Sequence, residues 1–163
     1  MRFLFIVVLA ACILGCNNEA GSNSKENEAD TSSRSEPVQQ PGRTGCYQEV
    51  IGRDTIALTL EHLQDRVSGR MTFDNFEKDG STGTVEGVVR DSIIQLIYSF
   101  MSEGMHSVME IYLKRSGDSL LRGVGEIGVK GDTAYFKDPA GIRYSGNVLQ
   151  KLPCEQLAEK YRK

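Results

Sequence analysis

The sequence predicts a mostly β fold, an antiparallel meander of eight to nine strands followed by a short C-terminal helix. Two observations carry that reading. Apolar and polar residues alternate in run after run between residues 46 and 149, the period-two signature of half-buried strands. The breaks between runs are short, and Asp followed by Ser or Thr opens a run at Asp54-Thr55, Asp91-Ser92, Asp118-Ser119 and Asp132-Thr133. Such connections cannot hold the crossover that a parallel pair requires, so neighbouring strands should be antiparallel.

Strands are expected at about 46–51, 54–63, 66–74, 83–90, 92–101, 106–114, 119–129, 132–137 and 142–149. In the second, Ile56, Leu58 and Leu60 alternate with Thr55, Ala57, Thr59 and Glu61. In the third, Val67, Met71 and Phe73 alternate with Arg66, Ser68, Arg70 and Thr72. Val85 and Val89 flank Gly87, and Ile94, Leu96, Tyr98 and Phe100 mark a strongly apolar strand. Met109, Ile111 and Leu113 should face one way, with Val108, Glu110 and Tyr112 facing the other. A twisted meander of this size removes its exposed edges best by closing, so an up-and-down barrel is expected, with an open, curled sheet as the alternative. After Leu152-Pro153, the residues Cys154, Leu157, Ala158 and Tyr161 follow helical i, i+3, i+4, i+7 spacing, which sets the cysteine on the packing face.

The start of the chain belongs to targeting rather than to the fold. Arg2 precedes an apolar run, Phe3 to Leu14, of twelve residues. A helix spanning the hydrocarbon core needs about 20, so the run reads as the core of a signal peptide. It ends in Ile13-Leu14-Gly15-Cys16, which resembles the lipobox of bacterial lipoproteins. The resemblance implies cleavage of residues 1–15 and a diacylglyceryl group on the Cys16 thiol. Of four cysteines, Cys12 would then leave with the signal and Cys16 would carry lipid. Cys46 and Cys154 remain, in a compartment where disulfides persist, and are expected to bridge the two ends of the folded domain. Separate metal-binding or reactive thiols are the alternative, which no CxxC spacing or adjacent histidine supports.

Residues 16–45 are expected to form the lipidated cysteine and a disordered tether. From residue 17 to 45 no aromatic occurs and Val38 is the only large aliphatic residue, too little apolar surface to offset the entropy of ordering. The folded domain should then span 46–163. Formal net charge is −3, becoming −4 when the leader removes its one arginine. That balance, without a basic cluster, argues against nucleic acid as a partner, and no polybasic stretch reinforces attachment to anionic lipid. Acyl chains, at about 0.8 kcal/mol per buried CH₂, would have to anchor the protein to the membrane of the cell envelope.

Chemistry is sparsely marked. Gly123-Val124-Gly125-Glu126-Ile127-Gly128 fits GxGxxG, but the next residues read as a hairpin turn and not as the helix a dinucleotide site needs. Those glycines should instead bend the sheet or make room for a large neighbour. Met101, Met105, His106 and Met109 cluster around the turn Ser102-Glu103-Gly104, and soft thioethers with an imidazole suit Cu(I). The simpler expectation is that Met101 and Met109 fill gaps under a hairpin. A ligand site, if the barrel encloses one, should draw on Glu103, Glu110, Arg122 and Glu126. No HExxH, GxSxG or Cys–His arrangement marks an enzyme.

The lipobox, polar tether, Cys46-Tyr47 start, Phe100-Met101-Ser102-Glu103-Gly104 turn and late Cys154 together resemble small uncharacterised lipoproteins of Bacteroidota-type bacteria. A looser similarity in architecture links the chain to lipocalin-like and copper-response envelope lipoproteins, although the CxxC of the latter is absent. Neither resemblance carries an activity or a site. The resulting expectation is a membrane-anchored, non-catalytic barrel, with no cofactor, that binds a small amphipathic ligand or a partner protein. A carboxylate-based envelope hydrolase and a Cu(I)-binding lipoprotein are the alternatives.

Overall fold

A computed structural model of the protein describes residues 42–102 and 104–162. The leader, Cys16 and the tether up to residue 41 therefore lie outside the described residues, as does Glu103. The described chain forms ten strands: β1 Arg43–Ile51, β2 Asp54–Leu63, β3 Arg66–Asp74, β4 Ser81–Arg90, β5 Ile93–Ser102, β6 Met105–Ser116, β7 Ser119–Arg122, β8 Ile127–Lys130, β9 Thr133–Phe136 and β10 Val148–Leu152. A 3-10 turn at Pro139–Gly141 precedes β10, and a short helix α1, Glu159–Arg162, follows it.

β1 to β6 run as an antiparallel meander, each strand paired along most of its length with the next. β7 returns against β6, β10 pairs with both β7 and β1, and a ring of eight strands closes. The closed barrel expected from the pattern is the fold, and the open sheet is not. Its interior is solid. Alternate residues of every ring strand meet there, among them Tyr47, Leu58, Leu60, Met71, Val85, Leu96, Tyr98, Ile111, Leu113, Leu120 and Leu149. A fully buried side chain of this kind stabilises by about 1.5–3 kcal/mol relative to exposure, so the core alone explains why the alternation was so regular.

Three glycines set the curvature. A Cβ built on Gly69, Gly83 or Gly87 would fall on the carbonyl oxygen of Thr59, Ser99 or Gln95 in the adjacent strand. Only glycine permits β3 and β4 to coil that tightly against their neighbours.

In the last third the strand expected at 132–137 is present as Thr133–Phe136, but its two neighbours differ from expectation. The run expected over 119–129 breaks after Arg122, and the chain leaves the ring. It returns as β9, which lies parallel to β6 at Val108 and Met109, with β8 antiparallel to β9 on the outside. The break has a packing cause. Tyr112, Phe136 and Ile142 form an apolar cluster on the outer wall, and the missing side chains of Gly123 and Gly125 make room for Ile142 and Phe136. The glycines of the GxGxxG run thus serve as seats for large neighbours. The strand expected at 142–149 is also displaced: Arg143 makes a single bridge to Val124, and the closing strand starts at Val148.

The C-terminal segment is strapped along the outer wall. Cys46 and Cys154 form a disulfide with Cα atoms 5.2 Å apart. Cys46, Ala57, Leu157 and Tyr161 are buried together there. The Tyr161 hydroxyl donates to Asp74 Oδ2 at 2.6 Å, and Lys160 Nζ donates to the same oxygen at 2.7 Å. The helix is shorter than its spacing suggested, because the bridge and a turn from Pro153 to Gln156 hold the first residues against the wall in a non-helical path. Leu157 and Tyr161 still point inward, as the i, i+4 pattern requires, whereas Ala158 is exposed.

Candidate functional site

The two ends of the barrel differ. The chain enters at one, beside the turns β2–β3, β4–β5 and β6–β7; the turns β1–β2, β3–β4 and β5–β6 form the far end. Across the ladder Arg122 stands opposite Leu113, a core residue, so its side chain belongs to the inner face, and its guanidinium reaches toward Phe73 near the far end. Its contacts are weak ones. One guanidinium nitrogen donates to Asn147 Oδ1 at 3.4 Å, another reaches Met109 Sδ at 3.9 Å, and the cation lies 5.3 Å from the Phe73 ring centroid. No carboxylate among the described residues is within ion-pair distance of it. Burial holds its pKa below the ordinary arginine value, which marks a desolvated cation whose charge is not compensated.

Beneath it lies an aromatic layer. Tyr98 stacks on Phe100 at 4.6 Å and meets Phe73 at 5.8 Å, while its hydroxyl donates to Ser81 Oγ. Glu49 shares the inner face through its pairing with Ile56. Its Oε1 accepts from the Val148 N–H at 3.1 Å, and its Oε2 is buried with no hydrogen-bond donor. Four exposed apolar side chains stand near this end, Ile51 and Met105 in the inner-face register and Val50 and Met101 on the outer face. An inner face that combines a cation without a carboxylate partner, an acceptor without a donor and neighbouring aromatic rings suits a small molecule with a polar head and an apolar part.

Of the four positions expected to converge, Glu103 lies outside the described residues, and Glu110, Arg122 and Glu126 do not come together. Glu110 points outward with Tyr112, and its Oε2 accepts from the Phe136 N–H at 2.9 Å, pinning β9 to the wall. Glu126 is exposed and pairs with Lys137 at 2.6 Å. Of these three, only Arg122 faces inward, because strand alternation separates it from Glu110, and Glu126 left the ring with the excursion after β7. The methionine cluster is divided in the same way. Met101 and His106 oppose each other across β5 and β6 on the outer face, Met109 packs against the core, and Met105 is exposed at the turn. His106 Nδ1 lies 3.4 Å from Asp132 Oδ2. Among the described residues no group of three or more His, Cys, Asp or Glu side chains is arranged to hold a metal ion.

The entry end carries a different pair. Arg115 donates to His62 Nδ1 at 3.2 Å, which requires that nitrogen to be unprotonated. Burial first, and then the Arg115 charge, hold the His62 pKa below 6.5. The folded domain therefore binds fewer protons here than the unfolded chain. This contribution is complete above the unfolded value and is lost as pH falls through the lowered one. Thermal melts between about pH 7 and pH 5 should lose stability on acidification. His62→Gln should flatten that slope, and an unchanged slope would exclude His62 as its source.

Sequence reasoning missed Glu49, Asn147 and Phe73 as parts of the mouth. Only for Glu49 was there a signal: it follows Tyr47 at the spacing that puts both on one face of β1, an acidic residue in an apolar register. No family model, no curated protein and no solved structure matches the chain.

Proposed function

We propose that the protein is a lipid-anchored, non-catalytic binding module of the cell envelope, and that the far mouth of its barrel receives a small amphipathic anion. The observation that carries this reading is Arg122, a largely desolvated cation aimed into the mouth with no carboxylate partner among the described residues. The solid interior rules out a long ligand threaded down the barrel axis. What fits instead is an anionic head on Arg122, a hydroxyl or similar donor for Glu49 Oε2, and a short apolar part against Ile51 and Met105. Anchoring through Cys16 agrees with this arrangement. The tether joins the barrel at its entry end, and β1 is nine residues long, so the mouth lies about 30 Å along the strand from that junction.

Titration of the purified protein with decanoate, 3-hydroxydecanoate and 1-decanol tests the proposal. Charge-assisted hydrogen bonds are worth about 1.5–3 kcal/mol, so the carboxylates should bind about ten-fold or more tighter than the alcohol. Arg122→Met should abolish that preference without unfolding the domain. Equal binding of acid and alcohol, or an Arg122→Met variant that still prefers the acid, would refute it. In the same protein, mass spectrometry of the mature amino end should find diacylglyceryl on Cys16.

A further inference from the structure

Among the described residues, closing the ring leaves β8 as the edge strand of the sheet. The strand order ends at β8, which pairs only with β9. The Lys137 N–H donates to the Glu126 carbonyl at 2.9 Å, and hydrogen-bonded and non-bonded pairs alternate along an antiparallel ladder. Residues 126, 128 and 130 therefore turn their backbone groups toward β9, while Ile127 and Val129 turn theirs outward. Those outward groups have no backbone partner among the described residues. The edge is short and carries Lys130, but its two outward residues are apolar. It has no proline, and Ile127 and Val129 are 45% and 73% exposed.

We propose that β8 pairs with β8 of a second copy of this chain, antiparallel, about a two-fold axis through Gly128. The register follows from the residues. With Ile127 opposite Val129 of the other copy, every outward N–H and C=O finds a partner, and four hydrogen bonds form. The same register sets Glu126 opposite Lys130 of the other copy at both ends of the ladder. A shift to Ile127 opposite Ile127, or Val129 opposite Val129, loses both charge pairings and leaves outward groups of the strand unpaired. Gly128 meets Gly128 at the axis, where backbones approach most closely and no side chain intervenes. The Tyr135 ring already lies against Gly128, so the two rings flank the axis. Glu126 keeps Lys137 at 2.6 Å and gains a second cation. The chain's own tether is a poor occupant, since Val38 is its only large aliphatic residue.

Four-residue edges bury far less than the roughly 1,600 Å² of a standard interface, so pairing is weak in dilute solution and is seen only when copies are concentrated. The test needs no membrane. Mature chain carrying Cys16→Ser, at about 1 mM, is prepared with either Ile127→Cys or Val129→Cys and oxidised mildly, since β-strand neighbours are close enough to form disulfides. A mixture of the two should cross-link at least ten-fold faster than either alone. Adding Lys130→Glu to both variants should suppress the reaction. Combining Glu126→Lys with Ile127→Cys in one copy, and Lys130→Glu with Val129→Cys in the other, should restore it. Faster cross-linking within a single variant, indifference to the charges, no cross-linking at all, or recovery of β8 paired with a strand of another protein would each overturn the proposal.

Discussion

Cys46→Ala and Cys154→Ala should each lower the unfolding free energy by about 2–5 kcal/mol, and the double variant should be no worse than either single one. The bridged residues are 108 positions apart, so in the unfolded chain the bond restricts a loop nearly as long as the domain. It also backs one of the two thinnest seams of the ring. β1 meets β2 over nine rungs but β10 over only three, from Cys46 opposite Leu152 to Gln48 opposite Gln150. Without the bridge that seam relies on few backbone bonds, and Leu157 and Tyr161 lose the link that draws them onto the outer wall. Urea unfolding measures the loss, and amide exchange should rise first in β10. Variants within about 0.5 kcal/mol of the parent would mean that the three-rung seam closes unaided.

Gly87→Ala should cost about 3 kcal/mol or more, the upper end of what overpacking causes. The added methyl carbon would fall on the Gln95 carbonyl oxygen, and β5 cannot move away because it is held on its other side by β6. Gly117→Ala is the control. Gly117 has φ +57° and nothing within 4 Å of a built Cβ, so its substitution meets only the left-handed backbone penalty of about 1–2 kcal/mol. Chemical denaturation of the two variants should separate them clearly. Similar losses would show that the coil of β4 does not depend on the glycine.

The ring from β1 to β6 was legible because each strand is long and each buries one face, so alternation alone fixed the bounds to within a few residues. Arg43 to Gly45 escaped because they carry no apolar signal; they are ordered by pairing with Leu60, Glu61 and His62 of β2. The last third was not legible for a different reason. β7, β8 and β9 have four residues each, too few for a period to declare itself, and the parallel contact of β9 with β6 joins segments with no local connection. The mouth followed the same logic. Arg122 was among the candidate ligand residues, but its neighbours come from β3, β6 and the residue before β10, and ring closure is what assembles them.

Ring closure also governs how the protein must fold. The five hairpins of β1 to β6 bring together residues close in sequence, and such contacts form in microseconds because little loop entropy opposes them. The seam is the reverse. Gln48 finds Gln150 only after the whole domain has been made, and until then the inner faces of six strands are an open sheet with β1 and β6 as bare edges. The slow step is thus the arrival of β7 and β10, and the two three-rung pairings of the ring are both made by β10. A chain of this design is most exposed to aggregation late in folding, when its strands are complete and its circle is not.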